Sequence, residues 1–305
     1  MNRSKFNWST ILIFTVVLML VLSLTAFAQD DADRFSDLVI PDENSTQILT
    51  LKDGSTIMGR ITKIKEREIV FKSDIGEMTI EKSKIERVKL VSKSSIRKGK
   101  YWFDNPNTTR LYFAPTARML KKGEGYFSDY YLFFPGIAYG FTDNFTFGGG
   151  MSLFPTVSPG DQLFYFTPKM GVKATEAADF AVGALLIALP ENDSDESPLV
   201  GILYGVGTFG DTDGSLTVGL GYGFVDDELA DKPLIMIGGE KRLSRRVSFV
   251  SENWIFPGAD FPIVSYGFRF FGEGISVDLA LFNALGDEMF FPGLPWIDFV
   301  FNFGD

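Results

Sequence analysis

The stretch that decides the fold is Gly214-Ser-Leu-Thr-Val-Gly-Leu-Gly-Tyr-Gly-Phe224, in which large apolar side chains alternate with small or polar ones. A period of two residues is that of a β-strand, because successive side chains of a strand point to opposite faces. A soluble sandwich would carry Lys, Glu and Thr on its polar face, whereas this face carries Gly, Ser and Thr. The segment therefore predicts a strand whose small side chains line a barrel and whose large side chains face lipid.

The same alternation recurs from residue 108 to residue 305, which predicts an all-β fold class, an antiparallel transmembrane β-barrel of about twelve strands. Short turns alternate with longer connections along this region, as in barrels with short periplasmic turns and long extracellular loops. An even number of strands places both ends of the barrel on the periplasmic side. The strand candidates are 109–119, 125–141, 144–154, 162–174, 178–189, 198–209, 214–225, 233–243, 246–256, 262–271, 274–284 and 296–303.

The first residues predict export. Arg3 and Lys5 precede a mainly apolar run over residues 11–25, and Ala26-Phe-Ala28 matches a small-x-small cleavage site. Residues 1–28 therefore read as a signal peptide, with an uncleaved N-terminal anchor as the alternative. The chain contains no Cys, which excludes a disulfide framework and thiol catalysis. Together with the barrel pattern, the signal predicts the outer membrane of a Gram-negative bacterium.

Charge divides the remaining chain near residue 100. Residues 45–100 carry fourteen basic and seven acidic side chains, a net charge of +7, whereas residues 101–305 carry twelve basic and twenty-six acidic side chains, a net charge of −14. The acidic residues 29–44 lack periodicity and read as a flexible leader. The predicted organisation continues with a periplasmic β module over 45–91, a basic linker over 92–107 and the barrel over 108–305.

The module predicts about five short strands with tight turns at Lys52-Asp-Gly54 and Asp74-Ile-Gly76. Its Leu51-Lys-Asp-Gly54, Gly59-Arg-Ile61 and Glu68-Ile-Val-Phe71 resemble SH3-like and Sm-like modules over roughly 45 residues. The resemblance implies a small closed β-barrel. Sm-like proteins often bind RNA, but an exported module meets none, so no nucleic acid is expected. Its basic face is either a solvated surface or a contact to peptidoglycan or anionic lipid.

A second resemblance covers residues 105–155. Asn105-Pro-Asn-Thr-Thr-Arg-Leu-Tyr-Phe-Ala-Pro-Thr-Ala117, Gly123-Glu-Gly125 and Gly140-Phe-Thr-Asp-Asn-Phe-Thr-Phe-Gly-Gly-Gly150 resemble an uncharacterised group of outer-membrane β-barrel proteins of Gram-negative bacteria. The resemblance implies the barrel and no particular activity. The last strand, whose outer face ends in Phe303, resembles the terminal signal of outer-membrane barrels, which implies the barrel assembly machinery as a partner.

Alternation also assigns side chains to the two faces of the barrel. The candidate lumen-facing charged residues are Arg110, Arg118, Asp129, Lys169, Lys173, Arg269, Asp278 and Asp298. The predicted lipid-facing residues include Leu111, Phe113, Ala117, Phe164, Phe166, Met170, Val172, Ile297, Phe299, Phe301 and Phe303. Aromatic belts at the two interfaces are predicted from Tyr130, Tyr131, Phe133, Trp254, Phe256 and Trp296.

The inventory of side chains argues against catalysis. The chain contains no His, which removes the Ser-His-Asp arrangement and leaves carboxylate or Lys bases. Asp129, Glu252, Asp278 and Asp298 are expected to form internal salt bridges with the basic residues of the lumen. Gly205-Val-Gly-Thr-Phe-Gly210 has dinucleotide-loop spacing but no following helix. Asp193 and Asp195 lack the rest of a calcium loop. We therefore predict no catalytic, cofactor-binding or metal-binding residues.

These observations predict a narrow channel or transport pore for small solutes. Twelve strands lie between filled eight-stranded barrels and water-filled porins of sixteen or more, so the lumen is expected to be narrow or partly plugged. The alternative is a structural or envelope-anchoring protein whose basic module contacts peptidoglycan or anionic lipid. The expected surroundings are outer-membrane lipid and lipopolysaccharide.

Overall fold

The computed structural model describes residues 38–158, 161–190, 198–286 and 291–304. The predicted signal peptide, most of the leader and the loop with Asp193 and Asp195 lie outside these residues. The chain separates into two compact units, divided between Trp102 and Phe103. No helix in the described part of the chain is long and apolar enough to cross a membrane.

The first unit contains a five-stranded antiparallel sheet. Its strands are β1 Ser45–Leu51, β2 Thr56–Ile64, β3 Glu68–Ser73, β4 Gly76–Glu81 and β5 Ile85–Ser92, and they lie in the order β4-β3-β2-β1-β5. Leu49, Ile61, Ile69 and Phe71 form its buried core. The predicted linker is more ordered than expected, since a 3-10 turn at Lys93–Ser95 leads into a small hairpin of β6 Ile96–Arg97 and β7 Lys100–Tyr101. The SH3-like or Sm-like character of the unit stays a prediction.

The second unit is a closed antiparallel barrel. Its strands are β8 Gly125–Tyr130, β9 Phe134–Thr142, β10 Phe145–Met151, β11 Phe164–Phe166, β12 Lys169–Thr175, β13 Ala178–Ala188, β14 Leu199–Gly210, β15 Gly214–Val225, β16 Glu228–Leu229, β17 Leu234–Ser244, β18 Val247–Ile255, β19 Ile263–Phe271, β20 Ile275–Ala284 and β21 Leu294–Phe303. β11 and β12 are two halves of one wall strand, and β16 is a short addition beside β15. β8 pairs with both β9 and β21, which closes a wall of twelve strands.

The predicted fold class and strand number are therefore confirmed, but two strand assignments are wrong. Residues 109–119 form no wall strand; one isolated bridge joins Arg110 to Pro115. The candidate 125–141 is two strands, β8 and β9, joined by a turn at residues 131–133. The two errors cancel in the count. The short turns are placed as predicted, at one end of the barrel, and the longer connections at the other.

The barrel wall inverts the usual distribution of side chains, with polar residues buried and large apolar residues exposed. Thr217 of β15 is fully buried, whereas Leu216, Val218 and Leu220 on the same strand are 51%, 40% and 50% exposed. The predicted outward positions Phe164, Phe166, Met170 and Val172 are confirmed as exposed, and so are Phe301 and Phe303. An outer surface of this composition suits hydrocarbon, and an inner surface of Thr, Ser, Glu and Arg suits a polar lumen.

Candidate functional site

Residues 103–122, which we call the plug, occupy the lumen in place of the predicted first strand. Leu111, Tyr112, Ala114 and Ala117 are almost completely buried, and they pack against inward-facing wall residues such as Ala181, Val206, Met236, Val250 and Ala280. The predictions that Leu111 and Ala117 face lipid are therefore wrong. Leu111 of the plug packs closely against the wall at Gly238. A Cβ at position 238 would lie 2.4 Å from the Leu111 side chain, so only glycine leaves enough room there. The wall thus provides space for the plug where it lacks side chains.

The plug enters and leaves the lumen at the short-turn end of the barrel. Arg242, near the turn between β17 and β18, donates to the Phe103 carbonyl oxygen at 2.8 Å. On the way out, Arg118 donates to the carbonyl oxygen of Asp211 at 2.6 Å, and the Lys122 N–H donates to the Asp143 carboxylate at 2.9 Å. Both contacts are in short turns. The plug is therefore a re-entrant loop whose tip, around residues 111–115, points toward the long-loop end.

Glu252 of β18 fixes the tip of the plug. One of its carboxylate oxygens accepts three backbone N–H bonds, from Tyr112, Phe113 and Ala114, each at 2.9 Å. Its other oxygen accepts the indole N–H of Trp254 at 2.8 Å. A buried carboxylate is stable when its lone pairs are satisfied in this way. Glu252 is therefore a structural anchor, and no free carboxylate remains there for acid–base work.

Arg269 of β19 links the wall to the ascending part of the plug. It is fully buried and forms ion pairs with Asp278 at 2.7 Å and Glu240 at 3.0 Å. It also donates to the carbonyl oxygens of Asn107 and Leu111. Close by, Asn105 donates to Glu240 at 2.6 Å. The guanidinium therefore pairs with two buried carboxylates and donates to backbone oxygens of the plug at the same time.

Arg110 and Lys169 place two further cations at the boundary of plug and wall. Arg110 is on the plug and pairs with Asp298 of β21 at 2.5 Å, with the rings of Tyr126 and Tyr130 under its guanidinium at 5.5 and 5.0 Å from the ring centroids. Lys169 of β12 reaches inward and donates to the carbonyl oxygens of Thr109, Thr116 and Arg118 at 3.0, 3.1 and 2.7 Å. Lys169 thereby holds the two legs of the plug together.

The structure places most of the sequence-predicted lumen charges in the lumen. Arg110, Lys169, Arg269, Asp278 and Asp298 are buried there, although Arg110 projects from the plug rather than from a strand. Arg118 is also on the plug and forms a salt bridge with Asp179 at 3.8 Å. The predicted salt bridges of Asp278 and Asp298 are present.

Of the remaining predicted lumen charges, Asp129 is elsewhere, and Lys173 keeps the inner face, opposite Asp179, but lies at the rim. Asp129 is opposite Phe299 in the β8–β21 register, and opposed residues share a face, so Asp129 lies on the outer face. Lys173 is at the rim, 56% exposed, where it pairs with Glu176 at 2.7 Å and lowers the pKa of that carboxyl. The sequence reading missed Glu240 and Arg242, although both keep the period of two with the inward-facing Met236 and Gly238.

The long-loop half of the lumen is a chamber with aromatic and aliphatic walls. It has a volume of about 430 Å³, and Tyr130, Trp254, Phe256, Phe282 and Trp296 are among its lining residues. The prediction that Tyr130, Trp254, Phe256 and Trp296 form interface belts is therefore wrong: they line the lumen. Trp296 forms an edge contact with Tyr131 at 5.1 Å between centroids and packs on Phe282 at 5.2 Å.

A smaller cavity, of about 110 Å³, adjoins the chamber beside the plug. The two spaces share the lining residues Phe113, Tyr130, Tyr165, Leu185, Ile202 and Trp254. Thr146, Gly219 and Gly221 line its wall, so small inner residues leave this space open. No group of three metal-ligating side chains occurs in the described part of the chain.

The comparisons with known proteins find similarity at the level of structure. No family model and no curated protein matches the sequence. Among solved structures, a KdgM porin in complex with disordered oligogalacturonate aligns with 60% of this chain and 98% of its own, at 9% identity and a TM-score of 0.42. A loop-deletion mutant of OmpT, an outer membrane protein of Vibrio cholerae, aligns over 85% and 96% at 12% identity and a TM-score of 0.32. Outer membrane phospholipase A from Escherichia coli aligns over 70% and 96% at 8% identity and a TM-score of 0.32. At these scores the similarity does not extend to any activity.

Proposed function

We propose that the chain is an outer-membrane barrel that acts as a narrow channel for small solutes, and that the plug determines how far the lumen is open. The observation that carries this proposal is the division of the lumen: the plug fills the short-turn half, and a chamber occupies the other half. The contacts between plug and wall are hydrogen bonds, ion pairs and packing, so the plug can shift while the wall keeps its closed ladder. The alternative, a protein that only anchors the envelope, does not account for the chamber.

Conductance across planar bilayers tests the role of the plug. We expect the full chain to give small conductance, and a variant with residues 105–120 replaced by a Gly/Ser segment of equal length to give large, stable conductance. A variant that lacks residues 45–100 but keeps the plug shows whether the first unit contributes to the barrier. Equal conductance of the full chain and the plug-replaced variant would show that the plug is not the barrier.

A reversible staple tests movement of the plug. The Ala117 N–H donates to Thr208 Oγ1 of β14 at 2.8 Å, so the two positions are neighbours across the boundary of plug and wall, and a shift on non-reducing electrophoresis shows whether cysteines there form the disulfide. Because the chain has no Cys of its own, Ala117→Cys with Thr208→Cys introduces a single pair. We expect openings of the reduced protein to disappear on oxidation, and Ala117→Cys alone to be insensitive. Openings that persist in the stapled protein would contradict gating by this leg.

We also infer that the short turns face the periplasm and that the first unit lies on that side of the outer membrane. Supporting this, the plug begins at the short-turn end, and β21 also ends there. The first unit is then a periplasmic module, as the even number of strands led us to expect. Peptidoglycan and anionic lipid are its proposed contacts, and lipopolysaccharide surrounds the opposite end of the barrel.

A further inference from the structure

We propose that the lumen binds small monocarboxylates with an apolar body, which enter from the long-loop end. The apolar body occupies the aromatic chamber, and the carboxylate reaches the adjoining cavity beside Arg110 and Lys169. This inference rests on the proposed channel function, because it names the class of solute that the channel admits.

The chamber accepts an apolar body because it offers almost no polar surface. Its lining residues include one carboxylate, Glu252, and both oxygens of that group are already occupied by N–H donors from the plug tip and Trp254. Its volume falls within the range of roughly 300–1,000 Å³ that is usual for small-molecule pockets. Water in such a space gains few hydrogen bonds, so its displacement by rings or methylene groups is favourable.

The adjoining cavity provides positive charge. Arg110 and Lys169 line it, and no Asp or Glu is among its described lining residues. Lys169 has no carboxylate within ion-pair distance among the described residues, since its three hydrogen bonds go to carbonyl oxygens. The Nε–H of Arg110 is buried without a hydrogen-bond partner in the described part of the chain. Arg110 is itself paired with Asp298, so the cation of this cavity that has no carboxylate partner within the described ranges is Lys169, and the N–H without an acceptor there is the Nε–H of Arg110.

Continuity of the two spaces sets the chemistry of the ligand. Phe113 at the plug tip and Trp254 of β18 line both, so one molecule can extend from the aromatic chamber to the cationic cavity. A single negative charge on an apolar body satisfies both environments. A sugar would leave its hydroxyls unpaired in the chamber, and an organic cation would meet like charge at its inner end.

Equilibrium binding to the full chain in lipid nanodiscs tests the proposal, with empty nanodiscs as the blank. The probes are octanoate and benzoate, which distinguish an aliphatic from an aromatic body, and 1-octanol, benzyl alcohol and octylammonium as counterparts without a negative charge. We expect saturable binding of at least one carboxylate, with its alcohol weaker by about tenfold or more, as loss of a charge-assisted contact implies. Octylammonium should not bind. Equal binding of the acid and its alcohol, or binding of octylammonium, would overturn the proposal.

Two substitutions on β12 locate the charge. Lys169→Met should weaken carboxylate binding by about tenfold more than it weakens binding of the alcohols, because loss of its contacts with the plug affects both classes of probe. Lys173→Met, the same change at the exposed rim of the same strand, should have no effect. In the chamber, Leu185→Asp should weaken binding of the carboxylates and of the alcohols, whereas Leu229→Asp, at an exposed position outside the chamber, should weaken neither. If the two Lys variants bind carboxylates equally well, the cavity does not hold the anionic group.

Conductance separates failure of this inference from failure of the proposed function. A plug-dependent conductance without selective carboxylate binding would refute the ligand class and leave the channel intact. Selective binding without any conductance, even after plug replacement, would refute the channel and leave the binding site. The uncharged and cationic probes are measured on the wild-type protein, so the result does not depend on whether a variant folds.

Discussion

At the scale of single residues, the lumen is organised by charges that would be unfavourable if they stood alone. Arg269, Asp278 and Asp298 are fully buried, and Glu252 is as well. Each of these groups has a partner of its own. Arg269 forms ion pairs with two carboxylates, and Glu252 accepts hydrogen bonds from four N–H groups. Asp298 pairs with the guanidinium of Arg110. Because an unpaired buried charge is far more costly than a paired one, the plug and the wall stabilise each other. Of these wall carboxylates, Asp298 and Glu252 have partners on the plug, whereas Asp278 is paired with Arg269 of the wall itself.

The Arg110–Asp298 pair provides a test of this mutual dependence. Arg110→Met leaves Asp298 buried without its cation, which should lower the free energy of unfolding by about 3–5 kcal/mol. Adding Asp298→Asn should recover part of that loss, because the uncompensated charge is removed. Unfolding in urea, followed by tryptophan fluorescence, measures both, with Lys121→Met at an 80% exposed side chain as the control. Additive losses in the double variant would show that the two groups do not act as a pair.

At the scale of elements, the sequence predicts the wall well and the plug poorly, for a physical reason. A wall strand alternates because its two faces meet lipid and lumen, and β15 shows this without interruption. The plug also alternates around Arg110, Leu111 and Tyr112, but both of its sides are buried among wall residues. Periodicity therefore cannot separate it from a strand.

The turn between β8 and β9 was missed for a different reason. Tyr131 and Leu132 adopt φ values of 56° and 66°, a conformation usually signalled by Gly or Asn. Without those residues, 125–141 reads as one strand. Asp129 was assigned to the wrong face because the sequence does not show which residue it pairs with. In the structure it lies opposite Phe299, on the outer face. The cationic cavity was foreseen in part, from the small inner residues and from Lys169.

The register of β15 predicts different tolerance on its two faces. Leu220 is exposed on the outer surface, and Leu220→Arg places a charge in hydrocarbon at a cost of roughly 2–4 kcal/mol near the midplane. Gly223 is on the inner face, where a new Cβ would meet nothing closer than 3.8 Å, so Gly223→Arg should fold nearly normally. Gly221 is also on the inner face, but it is a less suitable position for the inner-face substitution, because a new Cβ there would lie 2.8 Å from the Ile202 side chain. Refolding yield into liposomes measures the difference, and equal yields would contradict the assigned register.

At the scale of the whole molecule, the two units differ in both charge and surface. The first unit has its own apolar core and exposed Lys63, Lys65 and Lys72. The second turns apolar side chains outward and keeps most of its charges in the lumen and the connections, with Asp129 as an exception on the outer face. The contrast is that expected when one unit meets water and the other meets lipid.

Orientation across the membrane gives a prediction for intact cells. A Cys at Asp227, in the connection between β15 and β17, should react with a membrane-impermeant maleimide from outside. A Cys at Asp74, in the turn between β3 and β4, should react after permeabilisation of the outer membrane. The native chain lacks Cys, so each label has one target, and the wild-type protein is the blank. The reverse pattern of labelling would invert the topology and place the first unit outside the cell.

The charge of the first unit predicts a contact that depends on salt. With its net charge of +7 over residues 45–100, the unit should bind anionic lipid vesicles or purified peptidoglycan sacculi at low ionic strength. It should release them as salt rises, because charges at a surface are screened beyond about 8 Å at physiological ionic strength. Co-sedimentation of residues 38–102 measures this binding, with neutral vesicles as the control. Lys63→Glu with Lys65→Glu should weaken binding at low ionic strength. Binding that is indifferent to salt would indicate apolar docking instead. No binding to either material, together with unchanged conductance of the barrel without the unit, would make the unit a spacer whose basic surface is simply solvated.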